Sequence, residues 1–210
     1  MGKKRTLPRE LLTDSEAEAV LAECEETLSG MRDRALILLL DGTGCRISEA
    51  LSLEPRDIDW EHRTANVRRG KGAKQRVVPV SRRALDAVSD WLRLRTVGGI
   101  GPDAPVCCNL KGVRMSSSYV RKRLPRLAGR AGVTKRTHAH GYRHRFTTRL
   151  VRKGVVVTSV QQVLGHSSVA VTDTYCKRLG TGPAMDDVRR ALRAMDRGRG
   201  LHPSCIHQKA

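Results

Sequence analysis

The chain has 210 residues, with 40 Lys+Arg against 21 Asp+Glu and a formal net charge of +19. That length fits one domain with a core of its own, and 3% aromatic residues speaks against a base-stacking platform for single strands. The longest apolar run is the six residues from Ala35 to Leu40, too short for a membrane span or a signal peptide.

Residues 1–11 read as a basic N-terminal arm. Thr13-Asp14-Ser15-Glu16 has the pattern of a capping box. Ala17, Val20, Leu21, Cys24 and Leu28 follow at helical spacing, and Gly30 reads as the stop. Met31 to Asp41 is predicted as a second helix, apolar all round and therefore buried, broken by Asp41-Gly42-Thr43-Gly44. A short third helix runs from Arg46 to Leu53 and ends before Pro55.

Two strand-like runs, Thr64–Arg69 and Gln75–Val80, flank Gly70-Lys71-Gly72-Ala73-Lys74 and read as a β-hairpin. Ser81 is placed to cap a helix to Arg95, with Ala84, Leu85, Val88, Trp91 and Leu92 on one face. Gly98 to Pro105 reads as a loop and Val106 to Asn109 as a short strand. Ser116 to Gly129 is a basic helix containing Pro125. His138 to Lys153 is a further helix, and Thr158 to Leu164 a short one closed by Gly165-His166. Val169 to Lys177 and Pro183 to Arg197 read as helices, and residues 198–210 as a disordered tail. The class expected is mainly α with a small antiparallel β-sheet (α+β).

Charge is distributed unevenly. Residues 1–62 hold 14 acidic and 8 basic side chains, whereas the 69 residues from Ala104 to Thr172 hold 14 Lys+Arg and no Asp or Glu. A folded segment so lopsided repels itself unless an anion sits on it, and phosphate backbone is the usual one. The same stretch lacks the carboxylates a two-metal nuclease needs. Six scattered cysteines include no CxxC pair, so neither zinc ribbon nor disulfide framework is indicated and a reducing, cytoplasmic setting is expected.

Several residues are candidates for chemistry, each with a plainer alternative. Arg46 stands at a loop-to-helix turn and Glu49, one turn on, can orient it; a surface salt bridge is the alternative. Lys71 sits at a glycine-flanked hairpin tip, as many solvated turn lysines do. His140 and Arg143 share one helix face and suit proton transfer and phosphate gripping. The i, i+4 pair His140/His144 also has zinc-ligand spacing, with no carboxylate or cysteine nearby in sequence to complete it. His166 lies at a turn, and Tyr175, nine residues on, is either functional or half-buried with a partnered hydroxyl.

Taken in order, these residues resemble the tyrosine recombinase (phage integrase) family. TGCRISEAL is similar to the family's TGxRxSEL box, GKGAKQRVVPV to its lysine hairpin, HGYRHRF to its HxLRHxF box and LGHSSVAVTDTY to its LGHSSxxTTxxY box. The resemblance covers Leu12 to Leu179. It implies a catalytic domain over residues 12–182, followed by the amphipathic helix 183–197 with Met185, Val188, Leu192 and Met195 on one face. Tyr142 stands where the family usually has Leu and is expected to pack. With the catalytic domain expected to start near residue 12, ahead of which the family usually has an N-terminal core-binding domain, the chain is expected to resemble a small invertase-type or truncated member.

The resemblance further implies a site of Arg46, Lys71, His140, Arg143, His166 and Tyr175. Tyr175 is the nucleophile that forms a 3′-phosphotyrosyl link, His140 the base, Lys71 the acid at the departing 5′-hydroxyl, and Arg46, Arg143 and His166 the donors to the phosphate oxygens. No metal, ATP or other cofactor is implied. The expected partner is double-stranded DNA, with a monomer in solution and a homo-tetramer on paired sites. Lys74, Arg76, Arg121, Lys122, Arg123 and Arg145 are the expected DNA contacts. The rival readings are a type IB topoisomerase-like enzyme, a DNA-binding regulator on a decayed recombinase fold, and a zinc nuclease built on the histidine cluster.

Overall fold

The structure, a computed structural model, describes residues 10–68 and 75–165. Its elements in chain order are α1 (Asp14–Ala22), α2 (Leu28–Thr43), α3 (Ile47–Ser52), a 3-10 turn (Pro55–Asp57), β1 (Ile58–Asp59), β2 (Thr64–Val67), β3 (Arg76–Pro79), α4 (Arg82–Val97), α5 (Ser117–Arg130), α6 (Ala139–Arg152) and α7 (Val157–Leu164).

Helix α2 is the axis of the molecule. Its Leu36 to Leu40 run is buried throughout, because α4 packs along one side and α6 along another. Each such leucine contributes roughly 1.5–3 kcal/mol by leaving water. Trp91 of α4 is fully buried, and its Nε1 donates to the Val106 carbonyl at 2.8 Å. Arg95, also buried, donates to the carbonyls of Pro105 (2.5 Å) and Ala104 (2.9 Å), which fixes the loop behind it. The capping box forms as the sequence predicts: Glu16 N donates to Thr13 Oγ1 (3.1 Å) and Thr13 N to Glu16 Oε2 (2.7 Å).

The sheet is antiparallel in the order β1-β2-β3. Pairing sets Ala65 opposite Val78 and Val67 opposite Arg76. Ala65, Val67 and Val78 face the core, while Val77 faces out, as the period of two requires. A smaller apolar cluster of Phe146, Val151, Val160 and Leu164 joins α6 to α7.

Several local expectations are corrected. Gly30 does not stop a helix. It lies in the first turn of α2, where its N–H donates to the capping Thr27 Oγ1 at 3.1 Å. Leu28 opens α2, 40% exposed, and does not extend the face of α1. Asp41 to Thr43 remain helical, and the break falls at Gly44 alone, whose φ of 65° ends the helix. Residues 106–109 form no strand; only Cys108 pairs, in an isolated bridge with Arg114. Strand β1 was not predicted, since two residues carry no readable period. Pro125 sits inside α5 without ending it. Residues 166–210, with the helices expected at 169–177 and 183–197, lie outside the described residues, as does the N-terminal arm up to residue 9.

Candidate active site

The site is assembled where the α2–α3 turn, the start of β3, α6 and the end of α7 meet. Gly44 makes the turn. It adopts a left-handed conformation, and a Cβ built on it would stand 2.4 Å from Phe146 Cδ1 and 2.9 Å from Leu164 Cδ2. Only a residue without a side chain meets both demands. The turn delivers Arg46 to the N-cap of α3, where Glu49 lies one helical turn away.

Glu49 is 1% exposed, and its carboxylate accepts four hydrogen bonds. Arg46 supplies two, from its backbone N (2.8 Å) and Nη1 (2.9 Å). Arg76 supplies two more as a fork, Nη1 to Oε1 (2.9 Å) and Nη2 to Oε2 (2.7 Å). Burial pulls the Glu49 pKa upward, but the Arg76 guanidinium and the backbone and side chain of Arg46 outweigh it and hold it below its ordinary 4.5. Burial likewise pulls Arg76 down, and Glu49 raises it above its ordinary value. The plain reading of Arg46 and Glu49 as a surface salt bridge is therefore corrected: the carboxylate is internal and shared.

Arg143, on α6, is 2% exposed. Its Nη1 donates to the Gly44 carbonyl at 2.6 Å and its Nη2 to the Leu164 carbonyl at 2.8 Å. Burial, then the neighbouring charge of Arg46, lowers its pKa to about 10, with Arg76 acting the same way. Three guanidiniums thus gather around one carboxylate, leaving two positive charges unmatched among the described residues. Crowded cations with preset donors form a hole for an anion of about two charges, or for one that gains charge as it reacts.

His140 is exposed in the first turn of α6, three residues before Arg143. Its ring meets that of His144 edge-on, centroids 5.1 Å apart, and His138 lies 6.4 Å away. Among the described residues no three His, Cys, Asp or Glu side chains gather as metal ligands would. Cys24, Cys45, Cys107 and Cys108 are buried free thiols. Burial raises Cys24 to about 11 and Cys107 to about 12. Tyr142 is buried, as expected of a packing residue.

The structure brings together Arg46 and Arg143, with His140 one helical turn before Arg143 on α6. Lys71, Lys74, His166 and Tyr175 lie outside the described residues. Of the expected DNA contacts, Arg121 and Lys122 are exposed on α5. Three others are held by carboxylates distant in sequence. Arg76 serves Glu49. Arg123 Nε donates to Asp33 Oδ2 at 2.6 Å. Arg145, 5% exposed, bonds both oxygens of Asp41 at 2.5 Å and also pairs with Asp14. Sequence reasoning missed Arg76 as a partner of Glu49, 27 residues away, and missed the main-chain acceptors of Arg143, which no side-chain pattern encodes.

The fold belongs to a known class. The phage integrase family model matches residues 10–179, and the chain belongs to that family. Tyrosine recombinase XerC of Thermodesulfovibrio yellowstonii is 33% identical over 177 residues, covering 82% of this chain and 58% of that protein. The crystal structure of XerA recombinase superposes with a TM-score of 0.73 at 30% identity, over 83% of this chain and 61% of that one. XerH site-specific recombinase, in a pre-cleavage complex with its difH substrate, gives 0.68 at 30% identity, over 80% and 50%. The chain therefore spans about half to three-fifths of these relatives.

Proposed function

We propose that this chain carries the chemistry of a site-specific DNA recombinase, cutting and rejoining duplex DNA through a covalent phosphotyrosine. The observation that supports it most is the buried Arg143 beside Arg46 and Arg76, three cations with the one Glu49 carboxylate among them. A phosphodiester entering there gains negative charge on its non-bridging oxygens as it becomes pentacoordinate. Donors already in place stabilise that charge without reorganising.

Tyr175 is the nucleophile. Its ordinary pKa is about 10, so its proton must leave as its oxygen attacks, and exposed His140 at the head of α6 is the acceptor. The Tyr175 oxygen–phosphorus bond forms and the bond from phosphorus to the 5′-oxygen breaks. Lys71 gives the leaving oxygen its proton, and His166 adds a donor to the phosphate. One phosphodiester replaces another, so no ATP is consumed, and a 5′-hydroxyl from a second strand reverses the step to rejoin. Double-stranded DNA is the partner, gripped in part by Arg121 and Lys122 of α5. A homo-tetramer assembles on paired sites from protomers monomeric in solution, and the face Met185, Val188, Leu192 and Met195 is the candidate contact. The setting is the cytoplasm.

The test is covalent trapping. Duplexes tiled across the DNA flanking the gene, each nicked so that the cleaved end diffuses away, are incubated with wild type and Tyr175→Phe in EDTA. A protein-sized adduct in wild type alone supports the proposal. Normal mobility-shift binding with no adduct on any duplex refutes it.

A further inference from the structure

The last turn of α7 shows an arrangement that the chemistry above does not use. A helix ends with carbonyls that lack intrahelical partners and carry partial negative charge. Here three successive carbonyls each accept from a different arginine: Val163 from Arg76 Nε at 3.0 Å, Leu164 from Arg143 Nη2 at 2.8 Å, and Gly165 from Arg46 Nη2 at 3.4 Å. Arg76 is the member that also joins a carboxylate to the end of α7. Nη1 and Nη2 fork onto Glu49, Nε holds Val163, and 13% of its side chain is exposed. Gly165 lies against it: a Cβ there would stand 3.1 Å from Arg76 Cδ at a φ of +63°. In contrast, 31% of the Arg46 side chain is open to solvent.

We propose that Arg76 is a positioning residue for DNA cleavage, one that acts on the reacting phosphate only through others. By forking onto Glu49 it fixes the carboxylate that aims Arg46. By holding Val163 it ties the end of α7, and so the chain entering His166, to the same point. One planar guanidinium sets the relative position of α3, β3 and α7. A lysine cannot replace it, because an ammonium lacks the fork that serves two oxygens and a third acceptor at fixed angles. The proposal rests on the recombinase reading of this site.

The test measures two quantities on one nicked duplex, the rate of covalent adduct formation in a single turnover and the Kd for the uncleaved DNA. It uses wild type, Arg76→Gln, Arg76→Lys, Glu49→Gln and the double variant Glu49→Gln/Arg76→Gln. Arg76→Gln is expected to cleave about 10²-fold more slowly, the scale of a small misplacement of reacting groups, with Kd and its salt dependence unchanged. Arg76→Lys is expected to stay at least about tenfold slow. The double variant is expected to lose less than the product of the two single losses, since Glu49 and Arg76 share the fork, and to stay slower than Glu49→Gln alone by what the Val163 contact contributes.

Wild-type cleavage by Arg76→Gln or Arg76→Lys overturns the proposal. A weaker Kd with a salt slope reduced by about one makes Arg76 a phosphate contact and also overturns it. If Arg76→Gln melts below the assay temperature, Arg76→Lys decides on the same criteria. Absence of any adduct with wild type overturns the recombinase reading and this proposal with it, whereas an adduct formed equally by all variants overturns this proposal alone.

Discussion

Replacing Gly44 with alanine adds one methyl group at the joint of the site. The left-handed backbone costs an L-residue about 1–2 kcal/mol. The added Cβ would stand 2.4 Å from Phe146 Cδ1 and 2.9 Å from Leu164 Cδ2. Phe146 cannot swing clear, since it is packed with Val151, Val160 and Leu164, and overfilling such a cluster costs a further 1–3 kcal/mol or so. The total is about 2–5 kcal/mol, which for a chain of this size lowers the melting temperature by roughly 2–4 °C per kcal/mol. Gly129 is the control. It lies in α5 with no atom within 4 Å of a built Cβ, so Gly129→Ala stabilises by about 0.5–1 kcal/mol. The same chemical change therefore moves thermal melts in opposite directions at the two positions. A Gly44→Ala melt within about 2 °C of wild type would refute the close packing of the turn against α6 and α7.

Glu49→Gln breaks a buried pair and is expected to cost about 3–5 kcal/mol at neutral pH. Because the folded pKa of Glu49 lies below its ordinary 4.5, its stabilisation is present above that value and fades as pH falls through the lower folded one. Acid melts below pH 4.5 are accordingly expected to bring wild type toward the variant, and a constant gap down to strong acid contradicts the assignment. Tyr142 has a buried hydroxyl with no hydrogen-bond partner among the described residues, so Tyr142→Phe is expected to hold or raise the unfolding free energy from denaturant melts, by up to about 1–3 kcal/mol. A clear loss of stability would mean that the hydroxyl has a partner.

What was legible in the sequence has a common physical basis. The Thr13 capping box, the Ser81 cap and the apolar face of α4 are local patterns, and they folded as read. Gly30 misled because glycine both ends helices and fits their first turn; a cap from Thr27 three residues earlier decided between the two. Arg46 and Glu49 were legible because they lie three residues apart. Arg76, Arg123 and Arg145 read as free cations because their carboxylates are 27, 90 and 104 residues away. Only folding brings those charges together. The acceptors of Arg143 are main-chain carbonyls, which leave no trace in residue identity.

The most direct test of the chemistry is the identity of the bond to DNA. The adduct trapped on a nicked duplex is digested with trypsin, and the peptide carrying DNA is sequenced by mass spectrometry. The expected result is the peptide Gly154–Lys177, with the nucleotide attached at Tyr175 through a 3′-phosphate and a free 5′-hydroxyl on the released strand. Attachment at another residue, or a 5′-phosphate linkage, would contradict the role given to Tyr175.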